Sequence, residues 1–178
     1  MNHMKALIPL GLFVGLVVFL AIGLTRDPAA LPTEMIDRPF PDFSMSTLHD
    51  ADRVVTEDIV QGQVSLVNIF GSWCTACVIE HPKLIEIGNQ GRVKLIGVNW
   101  RDDREKGQRW IEHYGNPYDV ILFDDTSQLA IDLGVSGAPE TFVVDAQGKI
   151  QYKHIGVVTD EAWSKTLWPL VQTLEKNP

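Results

Sequence analysis

Residues 70–77 read Phe-Gly-Ser-Trp-Cys-Thr-Ala-Cys, and they stand where one kind of backbone gives way to another. The run before them, residues 64–70 (VSLVNIF), is apolar and rich in β-branched side chains, fit for a buried strand. Gly71, Ser72 and Trp73 turn the chain. From Cys74 the pattern predicts a helix to about Gly88, with Val78, Leu84, Ile85 and Ile87 on its buried face and Pro82 kinking it. A buried strand that turns straight into a helix demands an α/β arrangement.

The chain beyond extends the alternation. Residues 93–98 read as a second buried strand. Asp102 or Asp103 can cap a helix that runs to about Tyr114, where Gly115 and Pro117 stop it. Residues 120–123 form a third strand, and Thr126 can cap a short helix ending at Gly134. Residues 141–144 and 150–155 flank Ala146-Gln147-Gly148, a hairpin signal. A last helix starts near Thr159 with Trp163, Leu167, Leu170, Val171 and Leu174 as its apolar stripe, bent at Pro169. Strand–helix alternation followed by a hairpin predicts a mixed central sheet flanked by helices on both faces. Residues 39–63 show only scattered apolar points, consistent with a small hairpin or edge strands.

The chain has two cysteines, and they are three residues apart. One such pair is no disulfide scaffold, and a core of about 150 residues needs none. The pair is therefore available for chemistry. A cysteine at a helix N-terminus meets unpaired N–H groups and the positive end of the dipole, which favour the thiolate. The thiolate is the attacking species in disulfide exchange. Cys74 holds that position, so it is expected to attack. Cys77, nearly one turn below and more shielded, is expected to resolve. A metal half-site from Cys74, Cys77 and His81 falls short of the four ligands of a structural zinc. No metal is expected, and His81 reads as a helix-surface or capping residue.

A second signal lies at Gly137-Ala138-Pro139-Glu140-Thr141, just before a strand. Proline cannot donate to the ladder there. A cis Ala138–Pro139 bond folds the chain tightly and leaves the backbone of Ala138 free for a partner.

The N-terminus sets a location. Residues 6–24 carry no charge; as a helix they span roughly 28 Å, close to the hydrocarbon thickness of a bilayer. Two readings compete: an uncleaved anchor and a cleaved signal peptide. The run is longer than a signal core and ends without a clear small-x-small site, which favours the anchor. The expected organisation is an anchor over residues 1–25, a polar, proline-bearing linker over 26–36 and one domain over 37–178. A short basic start favours N-terminus in and body out. The net charge of −8 argues against nucleic acid as a partner. The basic cluster Arg101, Arg104, Lys106 and Arg109 is interleaved with Asp102, Asp103 and Glu105, and reads as a solvated helix face.

Trp73-Cys74-x-x-Cys77, with Gly-x-Pro some sixty residues on, resembles the thioredoxin superfamily. Asn68, Glu80-His81-Pro82, the run 97–103 (GVNWRDD), Gly115-Asn116-Pro117-Tyr118 and the run 134–141 (GVSGAPET) are similar to its DsbE/CcmG branch, membrane-anchored reductases of cytochrome c maturation. The resemblance spans the chain from the anchor almost to the C-terminus. It implies a thioredoxin-like fold and a protein-disulfide reductase that carries its electrons on sulfur, with no bound cofactor. It implies a single pass in the inner membrane with the domain facing the periplasm. The implied substrates are apocytochrome c or a cysteine-bearing maturation partner, kept reduced for haem attachment, and recharging falls to a DsbD-type transmembrane reductant. Carried over by position, Cys74 is the nucleophile, Cys77 the resolving thiol and Pro139 the cis proline. Trp73 and Ala138 meet the substrate, and Glu80 and Glu140 are the acidic groups near the pair.

Two departures stand out. Many relatives have proline between the cysteines, where this chain has Thr75-Ala76. Thioredoxin has a buried aspartate where this chain has Asn68, so Glu80 becomes the natural base for Cys77, expected within one helical turn of it and partly out of water, with desolvation raising its pKa toward neutral. Glu80 as an exposed helix carboxylate and Glu140 as a solvated loop residue remain the plain alternatives. For the whole chain, the alternatives are an exported oxidant that donates its disulfide and a non-catalytic docking module for haem delivery.

Overall fold

The structure, a computed structural model, describes residues 2–24 and 35–176. The chain divides into two units, Met1–Pro32 and Thr33–Pro178.

The first unit contains helix α1 (Asn2–Leu24), whose side chains are described over residues 8–20 and are exposed. Among the described residues no helix is long and apolar enough to cross a membrane. The transmembrane helix expected over residues 1–25 is thus not found there. The expected linker lies outside the described residues up to Glu34.

The second unit is built on a five-stranded sheet of β3 (Ser65–Phe70), β4 (Lys94–Trp100), β5 (Val120–Asp124), β6 (Glu140–Val144) and β7 (Ile150–Ile155). Its order is β5-β4-β3-β6-β7. β3, β4 and β5 run parallel, and β6 and β7 run antiparallel to their neighbours. α2 (Thr75–Gln90) and α3 (Arg104–Tyr114) make the parallel crossovers, and α4 (Gln128–Asp132) precedes β6. This is a thioredoxin-like α/β fold.

Side-chain alternation along the strands sorts the core into two clusters. Leu66, Phe70, Leu95, Ile121 and Val143 pack with Leu84 and Ile87 of α2, Trp110 and Ile111 of α3, and Trp163, Leu167 and Val171 near the C-terminus. Val67, Ile69, Ile96, Val98, Leu122 and Phe142 pack on the opposite face with Phe40, Val60, Leu129 and Leu133. The same alternation turns Asn68, Asn99 and Thr141, all buried, toward the face that carries α2 and the cysteines. Helix α2 runs through Pro82 to Gly91, whose φ of 59° ends it.

Residues 39–63 hold a hairpin of β1 (Ser44–Ser46) and β2 (Val54–Thr56), then a 3₁₀ turn over Glu57–Val60. The small hairpin is among the expectations for this stretch, though strands this short carry too little alternation to fix their bounds. The N-terminal stretch covers both sheet edges. Asp37 donates to Ile150 O (2.8 Å), Ile150 to Arg38 O (3.0 Å) and Phe40 to Gly148 O (2.7 Å) beside β7. Leu48 donates to Ile121 O (2.8 Å) beside β5. Arg104 is no solvated charge. It donates to Thr47 O, to Leu48 O (2.9 Å) and to Ser46 Oγ (2.7 Å), and lies 4.1 Å from the centre of the Phe123 ring.

Helix starts differ in detail from expectation. Asp103 caps α3, accepting from Lys106 N. α4 starts after Ser127, with Asp124 Oδ2 accepting from Ala130 N at 2.9 Å. At the C-terminus, α5 (Asp160–Ala162) follows the Thr159 cap and leads through a π-helical stretch, Trp163–Leu167, into α6 (Trp168–Lys176). Trp168 N bonds to Trp163 O, five residues back. This wider turn makes room for Pro169, whose ring crowds the carbonyl four residues earlier in a regular helix.

Gly88 on α2 faces Pro117, where a Cβ would lie 2.4 Å from the Pro117 carbonyl oxygen. The helix gains about 1 kcal/mol from Gly→Ala, but overpacking against backbone costs about 1–3 kcal/mol. Gly88→Ala is therefore expected to destabilise the domain by about 1 kcal/mol, read as a lower urea midpoint with an unchanged slope.

Candidate active site

The chain leaves β3 at Phe70 and reaches α2 within four residues. The turn is tight because Trp73 folds back over Gly71, where a Cβ would lie 2.5 Å from Trp73 Nε1. The indole N–H donates to Trp100 O at 3.1 Å, and the two indole rings meet edge-on at 5.7 Å. Trp73 remains 50% exposed. Ser72 donates from N (2.5 Å) and Oγ (2.6 Å) to the two oxygens of Asp102. Asn99 Nδ2 donates to the same carboxylate at 2.9 Å. The Asp102 carboxylate, free of any capping duty, thus holds the loop in front of the cysteines.

Cys74 is the N-cap of α2, with its N–H on Gly71 O (3.0 Å) and its Sγ accepting from Cys77 N (3.1 Å). Cys74 and Cys77 are joined as a disulfide with Cα atoms 5.3 Å apart. Both are buried, at 3% and 1% exposure. The expected asymmetry in exposure is absent from this oxidised form. What distinguishes the sulfurs is their place on the helix, Cys74 at its end and Cys77 inside its first turn.

Glu80 follows Cys77 by one turn, on the same side of α2. It is 1% exposed. Asn68 Nδ2 donates to Oε1 and Val158 N to Oε2, each at 2.9 Å. Burial outweighs both bonds and raises its pKa from 4.5 to about 7. Asn68 is fixed in turn: its amide donates to Thr141 Oγ1 (3.0 Å), and its Oδ1 accepts from Tyr118 O–H (2.7 Å). Tyr118 reaches it because Gly97, opposite Asn68 on β4, leaves room for the rings of Phe70 and Tyr118. Burial, with the Glu80 charge adding, holds the Tyr118 phenol well above its usual pKa and so protonated.

Glu140 lies elsewhere. As the first residue of β6 it shares the face of Phe142 and Val144, opposite that of Thr141 and the cysteines. It is fully buried, and Oε1 accepts from Ser136 N (2.9 Å), Ser136 Oγ and Gly137 N (3.2 Å). Lys153 Nζ sits 2.9 Å from Oε2 as an ion pair; no regular hydrogen bond reaches that oxygen. Glu140 therefore shapes the loop that carries Ala138 and Pro139. The Ala138–Pro139 bond is cis, Ala138 is half-buried and Pro139 is buried.

His81 is no surface residue. It is 2% exposed, its Nε2 lies 2.9 Å from Gly115 O, and its ring meets Trp110 edge-on at 4.5 Å. A contact with a carbonyl makes Nε2 the protonated nitrogen, and burial lowers its pKa. Among the described residues no three His, Cys, Asp or Glu side chains gather as a metal site.

Residues 35–167 match the redoxin family. The chain is 44% identical to the thiol:disulfide interchange protein DsbE of Allochromatium vinosum, over 94% of this chain and 92% of that one. It is 42% identical to the DsbE of Pseudomonas aeruginosa, over 100% and 98%. Among solved structures, the thio-disulfide isomerase of Thermus thermophilus superposes with a TM-score of 0.62 at 28% identity, covering 76% of this chain and 96% of that one. The chain belongs to the redoxin family, with the DsbE proteins. It is a thiol–disulfide oxidoreductase, and the Cys74–Cys77 pair is the redox couple that this family membership calls for.

Three partners of this DsbE-type site escape sequence reasoning. Asp102 reads there as one of two capping candidates, and only the structure turns it toward Ser72. Tyr118 sits in a quoted motif without a role. Lys153 lies mid-strand in a polar stretch and carries no motif signal at all.

Glu80 makes stability depend on pH with a definite sign. The folded state holds its proton up to about pH 7, the unfolded state only to 4.5. Between these values the folded state binds more protons, so stability falls as pH rises through the window and levels off above it. The loss is about 3 kcal/mol. Glu80→Gln is expected to abolish it, so the stability difference between variant and wild type, measured by urea unfolding of the oxidised forms, grows from pH 4.5 to 7. A constant difference across that range would refute the assignment.

Proposed function

We propose that the protein reduces disulfides outside the cytoplasmic membrane, keeping cysteines of apocytochrome c or of a cysteine-bearing maturation partner in the thiol state. The observation that carries this reading is the buried Glu80 carboxylate one helical turn beyond Cys77. A carboxylate there disfavours thiolate at the pair and opposes the helix end. Strong oxidants are made by stabilising the reduced form as thiolate; Glu80 works the other way.

The reaction balances on sulfur. The Cys74 thiolate attacks a substrate sulfur, forming a mixed disulfide and releasing the other substrate sulfur as thiolate. Cys77 gives its proton to a base, and its thiolate attacks Cys74 Sγ. The substrate leaves with both cysteines reduced, and Cys74–Cys77 closes as the disulfide. Glu80, with a pKa near 7, is matched to take the Cys77 proton, either directly or through one water. A DsbD-type transmembrane dithiol returns the two electrons. The uncharged run 6–24 supports an inner-membrane anchor with the domain on the periplasmic side.

Glu80→Gln is expected to lower the Cys74 pKa and raise the reduction potential from at or below about −200 mV toward the oxidant range. Thiolate absorbance and glutathione equilibration read the two changes, and a wild-type potential near −120 mV would defeat the reductant reading. Separately, Cys77→Ser is expected to accumulate a mixed disulfide through Cys74 in cells, and mass spectrometry names its partner. Cys74→Ser is expected to trap nothing.

A further inference from the structure

We propose that Lys153 is a positioning residue for disulfide exchange: it holds the 134–139 loop in the shape that receives a protein substrate, and so favours protein disulfides over small ones. The proposal rests on the exchange reaction of the Cys74–Cys77 site and not on the identity of the substrate.

The sheet register places the loop beside the pair. Ile69 of β3 lies opposite Glu140 of β6. One step further along both chains, β3 runs into the Gly71–Cys74 turn and β6 runs back into Pro139 and Ala138. The loop and the disulfide thus emerge at the same end of the sheet. A protein segment joined to Cys74 has to pass Ala138, whereas a small disulfide needs only access to the sulfur.

Lys153 closes that loop at both ends. On β7 it pairs with Phe142 while Ile155 pairs with Glu140, so Lys153 and Glu140 are diagonal neighbours on one face of the β6–β7 hairpin. Its ammonium donates to Gly134 O at 2.7 Å, where the loop begins. It also sits 2.9 Å from Glu140 Oε2, where the loop ends. The other Glu140 oxygen holds Ser136 and Gly137 between them. The two side chains are 5% and 0% exposed. A buried ion pair contributes little net stability compared with an apolar pair of the same size, and its best-attested use is to specify one conformation. Here the conformation specified is that of the loop bearing Ala138 and Pro139. A neutral residue at 153 leaves the Glu140 charge buried without its cation and frees Gly134.

The test reacts the reduced full-length chain in single turnover with insulin as the protein disulfide and with oxidised glutathione as the small one. In Lys153→Met the ratio of the two rate constants, insulin over glutathione, is expected to fall at least about tenfold, the scale of a misplaced contact surface. Lys153→Arg keeps the charge and is expected to restore most of the ratio. If Lys153→Met does not fold, the double variant Lys153→Met with Glu140→Gln removes both charges and is expected to show the same fall. An unchanged ratio in whichever variant folds overturns the proposal. So does an equal loss toward both substrates, which a merely structural role produces. A wild-type chain that reduces neither substrate overturns the exchange reading itself.

Discussion

A carboxylate buried to 1% exposure has to be held from several sides, and the arrangement around Glu80 draws the domain together. Glu80 belongs to α2, Asn68 to the central strand β3, and Val158 to the segment that leads into the last helix. Through Asn68 the network extends to Thr141 on β6 and to Tyr118 just before β5. Elements distant in sequence are therefore bound to one acid beneath the disulfide. Leaving any member unpartnered costs about 1–3 kcal/mol. That cost keeps the floor of the site in a single arrangement, while burial, against the pull of those bonds, keeps a proton there up to about pH 7.

The two loops that frame the disulfide are held by the same device. Asp102 takes both polar hydrogens of Ser72 and so fixes the turn bearing Trp73. Glu140 takes the N–H groups of Ser136 and Gly137 and so fixes the turn bearing Ala138. Each carboxylate sits beside its loop and outside the reacting pair. The acids near the active site thus divide into one that faces the sulfurs' side of the sheet, Glu80, and two that serve as brackets for backbone.

Much of this was legible in the sequence. Strands β3 to β7 and helices α2 and α3 follow from apolar runs, caps and stop signals, because each is long enough to show its period. The Cys74–Cys77 pair and the cis proline follow from local motifs. A small hairpin within residues 39–63 was legible but its bounds at 44–56 were not, because three-residue strands show no period. The burial of His81 was not legible, whereas Glu80, expected partly out of water one turn beyond Cys77, is buried with its pKa raised by desolvation as expected, and only its partners were not foreseen. Polar residues on a helix face read as exposed unless their partners are known, and those partners, Gly115, Asn68 and Val158, come from remote segments. Arg104 belongs to the same class, since a charged residue whose targets are backbone carbonyls leaves no complementary charge to find, and Lys153 meets the charge of Glu140 only through the β6–β7 register.

The stretch that was hardest to read has a further consequence. Residues 37–40 pair with residues 148–150 at the start of β7 and residues 47–48 with residues 121–122 of β5, so one short segment touches both outer strands of the sheet. Exposed strand borders are templates on which chains add to one another and polymerise. In this domain a single N-terminal strap occupies part of both borders. Because it precedes the sheet in the chain, it is already synthesised when β5 and β7 form. Part of each border is therefore closed to a second copy by residues that take no part in the chemistry of the redox core.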